Sequence, residues 1–182
     1  QVVILVSPTG SGKSTFVPFR LLVPPETYTG TLVDRLTRHG QIIVTQPLTS
    51  ATEFIPNTIA SRYLDCLRGP GGLVGLRHGS KPGRREEGER YDRRNLLVVV
   101  TDGSLRNWIR DGRLSDYSLV MIDEAHQRSV NIETIIMLLK DALLRYPTLK
   151  VIISSATVNQ DRFRDAFAEF GILSEVVSFE AT

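Results

Sequence analysis

Apolar residues along this chain gather in short continuous runs. Five of them, Val2–Val6, Gln41–Val44, Leu96–Val100, Leu119–Ile122 and Leu149–Ile153, have the length and β-branched content of strands. They do not alternate with polar residues, which is the pattern of parallel strands buried on both faces. Leu73–Arg77 and Val176–Phe179 are weaker runs that extend the same sheet. Between the runs the period changes. Over Asn131–Tyr146, Ile132, Ile135, Ile136, Leu139 and Leu143 recur at helical steps, with Asn131 placed to cap the start and Tyr146-Pro147 to mark the end. A second helix is expected over Gln160–Phe170, with Phe163, Ala166, Phe167 and Phe170 on one face. Strand and helix in alternation predict an α/β fold: a mostly parallel β-sheet covered by helices on both faces.

The polar residues that follow each apolar run narrow the picture. Val2–Val6 leads into Ser7-Pro8-Thr9-Gly10-Ser11-Gly12-Lys13-Ser14-Thr15, and Gln41–Val44 into Thr45-Gln46-Pro47. Leu96–Val100 leads into Thr101-Asp102-Gly103, Leu119–Ile122 into Asp123-Glu124-Ala125-His126, and Leu149–Ile153 into Ser154-Ser155-Ala156-Thr157. In a parallel sheet these five segments share the carboxyl edge, where open α/β sheets hold their ligands.

Length and composition agree with this reading. The 182 residues suit one domain, and 41% apolar with 23% charged residues exclude collagen-like and wholly disordered chains. The single Cys66 precludes an internal disulfide or a Cys-rich zinc site and suits a reducing compartment, so an intracellular location, cytoplasmic or nuclear, is expected. No apolar run approaches the roughly 20 residues that span a bilayer, so no membrane association is expected. Gln1-Val2-Val3-Ile4 reads as a strand already under way, so the chain is expected to be cut from a longer one. Net charge is only +2, but Arg77–Arg94 carries seven Lys/Arg against four acids. That stretch, Gly-rich and too long for a simple connector, reads first as a solvated loop insertion around 79–95 and second as a nucleic-acid contact.

Strand, Gly10-Ser11-Gly12-Lys13-Ser14, then helix is the context of a phosphate-binding loop. Its glycines turn successive N–H groups inward at the positive end of the helix. In that motif Lys13 reaches the β- and γ-phosphates, Ser14 ligates Mg²⁺, and Thr15 adds a phosphate contact. The strict pattern G-x-x-x-x-G-K-[ST] fails at one position, where Ser7 replaces the first glycine. Asp123-Glu124 then reads as an acid pair in which Asp123 holds Mg²⁺ and Glu124 orients and deprotonates an attacking water. Taken alone, the pair is equally a helix N-cap with a first-turn acid. Thr45-Gln46-Pro47 and Thr101-Asp102-Gly103 are equally explicable as caps or turns.

As an ordered set, Gly10–Thr15, Thr45–Pro47, Thr101–Gly103, Asp123–His126 and Ser155–Thr157 resemble motifs I, Ia, Ib, II and III of the superfamily 2 DEAH-box helicases. Phe16–Leu22, Gln127–Asn131 and Asp161–Phe163 are similar in context, and the likeness spans nearly the whole chain, loosest over Ala51–Arg94. It implies that residues 1–182 are a RecA-like P-loop NTPase domain, the first of two, using ATP and Mg²⁺ and coupling hydrolysis to movement along RNA, less often DNA. By the same resemblance Thr9, Gly10, Ser11, Gly12, Lys13, Ser14 and Thr15 bind nucleotide and Arg62 stacks on adenine. Ser14 and Asp123 serve Mg²⁺, and Glu124, Asp123 and Lys13 are catalytic. His126, Ser155 and Thr157 couple nucleotide state to domain closure, while Thr45, Gln46, Thr101 and Asp102 line the backbone of single-stranded RNA. The second RecA-like domain brings the arginine finger, so the segment alone is expected to turn over poorly. Two basic residues that usually follow Thr-Gln-Pro in the family are Leu48 and Thr49 here, which removes two phosphate-pairing cations. An ATPase of the same fold that acts on DNA or remodels protein is therefore the alternative, and a nucleotide-sensing scaffold the third reading.

Overall fold

The computed structural model describes residues 2–22, 40–64, 72–78, 89–90, 95–127, 129–156 and 160–178. Thr157, Phe179 and most of the insertion expected around 79–95 lie outside the described residues. In chain order the elements are β1 (Val2–Val6), α1 (Lys13–Leu22), β2 (Gln41–Gln46), α2 (Thr49–Thr58), β3 (Val74–Arg77) and β4 (Glu89–Arg90). They continue with β5 (Leu97–Thr101), α3 (Asp102–Arg110), β6 (Tyr117–Ile122), α4 (Val130–Arg145), β7 (Lys150–Ser155), α5 (Gln160–Ala168) and β8 (Ser174–Ser178).

The strands form one sheet in the order β4-β3-β5-β2-β6-β7-β1-β8. Seven run parallel. The exception is the two-residue β4, which pairs antiparallel with β3 (Leu76 opposite Arg90, Arg77 opposite Glu89) inside the stretch expected to be loop. An antiparallel partner needs no crossover helix, so a short return can supply one even from a Gly- and Arg-rich segment.

Alternation along each strand divides the core in two. Ile43, Val98, Val100, Val120, Ile122, Val151 and Ile153 pack on one face against Leu105 and Trp108 of α3, Ile132, Ile135 and Leu139 of α4, and Phe163 and Phe167 of α5. Ile42, Val44, Leu97, Val99, Met121 and Ile152 point to the other face, against Leu22 of α1 and Ile55 of α2. Helices thus cover both faces, and the middles of the central strands are apolar because neither side meets water.

Three helices carry features that the periodicity did not announce. Pro56 lies inside α2, and the chain runs on through a π-helical turn, Ile59–Leu64. A wider turn absorbs an extra residue without breaking the helix. The cap of α4 is Ser129 rather than Asn131: the Ser129 hydroxyl accepts from Ile132 N at 3.2 Å, while Asn131 Oδ1 accepts from Arg106 Nη1 at 2.8 Å and ties α4 to α3. Phe170 falls past the end of α5, half exposed, with the Lys140 ammonium 4.5 Å from its ring centroid.

Loss of the Ser129 cap orphans a helix N–H. Ser129→Ala is expected to cost about 1 kcal/mol in urea unfolding, and Ser129→Asp to retain nearly all of the stability. An unchanged midpoint in the alanine variant would disprove the cap.

Candidate functional site

The five polar segments stand along one edge of the sheet, as the parallel topology requires. Thr45 pairs with Ile122 and Gln46 with Thr101, so Gln46 sits level with Asp123 on one side and with Thr101 on the other, and Asp102 follows one residue beyond. Ile122 pairs with Ile153, and Val6 with Ser155. The edge therefore reads Asp102, Gln46, Asp123, Ser154-Ser155 and Ser7 across β5, β2, β6, β7 and β1. The loop after β1 and the acids after β6 are separated by one strand, β7.

The loop from Ser7 to Lys13 turns on Gly10 and Gly12, whose φ angles of 82° and 83° lie in the left-handed region that side chains disfavour. Helix α1 begins at Lys13, and Phe16 N donates to the Gly12 carbonyl at 2.7 Å. The first N–H groups of a helix lack intrahelical acceptors and carry its positive end, so the loop rim is built for an anion. Lys13 is buried, and its ammonium donates to Ser7 O at 2.5 Å, Pro8 O at 2.6 Å and Ser11 Oγ at 3.4 Å. Ser7 keeps a negative φ, so the loop tolerates a side chain there, and its hydroxyl lies 2.7 Å from Ser11 Oγ as an additional tie. Thr9 and Gly10 are exposed, while Ser11, Gly12, Ser14 and Thr15 are partly buried. Thr15 Oγ1 reaches the Gly12 carbonyl at 3.5 Å.

Asp123 is fully buried. Its Oδ2 accepts from Gln46 Nε2 at 2.8 Å, while Oδ1 is buried without a hydrogen-bond partner. A buried anionic oxygen left unpaired is costly, and such a cost is tolerated where a cation or donor completes the site. Glu124, the next residue, has φ 53°, alone among the described non-glycine residues in taking a positive value. That conformation costs on the order of 1–3 kcal/mol and clusters at functional positions. It turns the chain off the end of β6, and Gln127 N closes the turn on the Glu124 carbonyl at 3.0 Å.

His126 links this turn to β7. The Ala156 N–H, which can only donate, meets His126 Nδ1 at 3.3 Å. The neutral ring therefore carries its proton on Nε2, which faces Glu124 Oε2 at 3.3 Å. Both ring nitrogens are engaged, and Glu124 retains its second oxygen as an acceptor. The partner of His126 on β7's exit is a backbone N–H, which no side-chain motif announces. Ser155 is buried, and its carbonyl accepts from Ser7 N at 3.2 Å, joining β7 to the phosphate-type loop.

The residues expected to line a polynucleotide are placed differently. Thr45, Gln46 and Asp102 are buried, so their side chains offer no surface; Gln46 is spent on Asp123. Thr101 is half buried, with Oγ1 at 3.0 Å from Ser104 Oγ. The surface at this edge comes instead from Leu48, 60% exposed, and its neighbours Thr49 and Ser50. Arg62 is exposed on the π-helical turn, which packs against α1.

Burial raises the Asp102 carboxyl above its ordinary value of 3.8, the Thr45 hydroxyl opposes the shift, and the Asp123 charge adds to it. The signal available in sequence was only that each residue ends a strand. That β5, β2 and β6 are adjacent, so that their ends form one cluster, is a property of the topology.

A phosphate-type loop and an acid pair on one edge of a parallel sheet define a RecA-like P-loop domain. The chain belongs to the DEAD/DEAH box helicase family, whose profile matches residues 1–165. It is 34% identical over 177 residues to the mouse ATP-dependent RNA helicase DHX29, covering 95% of this chain and 12% of that protein. It is equally 34% identical over 168 residues to the Escherichia coli ATP-dependent RNA helicase HrpA, covering 92% of this chain and 11% of HrpA. The crystal structure of the E. coli DEAH/RHA helicase HrpB superposes with a TM-score of 0.75 at 31% identity, over 97% of this chain and 20% of HrpB. The chain thus spans about an eighth of the length of these curated relatives.

An acid whose pKa is raised by folding binds its proton more tightly when folded, so it loses stability as pH rises through 3.8 toward the folded value and none below. Asp102→Asn is therefore expected to raise the urea midpoint at neutral pH, with the gain closing below about pH 4. A gap that stays constant across that range would show that ionisation of Asp102 is not its source.

Proposed function

We propose that residues 1–182 form the first RecA-like motor domain of an ATP-dependent RNA helicase, with an insertion around 79–95, and that a second RecA-like domain completes the nucleotide site. The observation that carries this reading is the buried Asp123 carboxylate. One oxygen is held by Gln46 and the other is unpartnered, one strand away from a Lys- and Gly-built anion loop. The names of the relatives, ATP-dependent RNA helicases, supply the substrate class.

In this reading Thr9, Gly10, Ser11, Gly12, Lys13, Ser14 and Thr15 cradle the phosphates. Lys13 exchanges loop carbonyls for phosphate oxygens, and Arg62 faces the adenine. Asp123 and the Ser14 hydroxyl would hold Mg²⁺: an unpaired anionic oxygen and a hydroxyl are the hard oxygen donors that this ion takes. When bound, the ion neutralises charge on the β- and γ-phosphate oxygens. Glu124 accepts the proton of the attacking water on the oxygen that His126 leaves open, and the left-handed turn aims it. His126 ties that base to the backbone at the exit of β7, and by the family resemblance it acts with Ser155 and Thr157 in coupling nucleotide state to closure by a second domain.

A polynucleotide runs over the same edge along the backbone and surface residues flanking Thr45-Gln46 and Thr101-Asp102, with Leu48 and Thr49 in place of cations. The grip is therefore weaker in salt-dependent contacts, by roughly one slope unit for each missing cation. The single cysteine favours an intracellular setting, cytoplasmic or nuclear. Among the described residues no helix is long and apolar enough to cross a membrane.

Steady-state ATPase of the full-length protein, with and without single-stranded RNA, tests the proposal. Turnover is expected to rise with RNA, to lose that rise as salt increases, and to fall about 100-fold or more in Glu124→Gln with nucleotide binding retained. Lys13→Ala is expected to lose binding itself. Turnover indifferent to RNA would refute the motor reading in favour of a DNA or protein substrate, and residues 1–182 alone are expected to bind nucleotide but hydrolyse it poorly.

A further inference from the structure

Gln46 is a buried amide at the last position of a central strand, and its Nε2 donates to a fully buried carboxylate contributed by a residue far along the chain. Burying a flexible polar side chain costs rotamer entropy and desolvation, and a charge-assisted hydrogen bond offsets both. A purely structural pair would satisfy each carboxylate oxygen. Here only Oδ2 is satisfied and Oδ1 is left bare. A second buried acid, Asp102, follows Thr101, the residue opposite Gln46 on β5, and one of its oxygens is also unpartnered. Without the amide nothing described here would fix the Asp123 carboxylate about its terminal torsion, which is broad and roughly two-fold.

We infer that Gln46 is a positioning residue for the nucleotide site: it locks the Asp123 carboxylate by Oδ2 so that Oδ1 is presented to the metal of a metal–nucleotide complex. The inference deepens the function proposed above and rests on its assignment of Asp123 to Mg²⁺. It moves Gln46 from the polynucleotide track to the nucleotide site, and places the strand that leads into Pro47, Leu48 and Thr49 in direct contact with the acid motif. Groups that orient a metal ligand from behind typically change metal affinity by about 10- to 100-fold when removed.

The test measures binding rather than turnover. A fluorescent ADP is titrated into the full-length protein in Mg²⁺ and in EDTA, and the ratio of the two Kd values is read as the Mg²⁺ enhancement. Gln46→Met keeps the side-chain volume and removes the donor. It is expected to bind as wild type in EDTA, which also shows that the loop is folded, and to lose about tenfold or more of the enhancement. Should Gln46→Met fail to bind in EDTA, Gln46→Asn, one methylene too short to span the bond, is read in the same assay with the same expectation. A folded variant that retains the full enhancement while Asp123→Asn loses it overturns the role of Gln46. Enhancement retained in Asp123→Asn as well overturns the metal assignment beneath it.

Discussion

A carboxylate with no exposed surface sets the terms for the carboxyl edge of this sheet. Asp123 follows four apolar residues of β6 and cannot leave the interior without unpairing the central strand. Water does not reach it, so its charge is compensated only by what neighbouring strands bring. Strand β2 brings the Gln46 amide to Oδ2, and the second oxygen is left without a partner. The strand between β6 and the anion loop carries only hydroxyls and backbone at its end, Ser154 and Ser155, so no further acid intrudes there. Asp102 follows the end of β5, where burial and the Asp123 charge both favour its neutral form against the Thr45 hydroxyl.

The same edge couples elements far apart in sequence through short, directional contacts. Glu124 is held in the left-handed region by a closed turn, and its carboxylate meets a histidine whose tautomer is dictated by a backbone N–H of β7's exit. The carbonyl of Ser155 in turn receives Ser7 N. Acid turn, β7 and anion loop are therefore joined through bonds in which at least one partner is main chain. Such bonds transmit displacement of a strand end with little slack, since a backbone group has no rotamers to absorb it.

Family membership and the particulars of this chain are separable. Ser7 stands where the strict loop pattern has glycine, and the loop accommodates it because the position keeps a negative φ, whereas Gly10 and Gly12 do not. Leu48 and Thr49, which the family resemblance sets against two basic residues, lie on an exposed corner where side chains set surface charge and leave the core untouched. One departure strengthens the interior of the loop with a hydroxyl pair. The other alters what the edge can offer a polyanion.

The apolar runs alone determined the strands and their parallel arrangement, because a strand buried on both faces must be apolar throughout. The polar segments after the runs determined that the chemistry lies on one edge, because every parallel strand ends there. Periodicity likewise located α4 and α5, though local hydrogen bonding chose Ser129 over Asn131 as the cap. Tertiary structure alone decided strand order, and with it that the ends of β5, β2 and β6 form one cluster. From sequence, Thr45-Gln46 and Thr101-Asp102 were two polar turns of equal standing, each free to face solvent. Only the placement of β2 between β5 and β6 turned Gln46 inward onto Asp123 and buried Asp102 near Thr45. The reason is that hydrophobic pattern is a local property of the chain, whereas the partner of a buried polar group is set by which strands are neighbours.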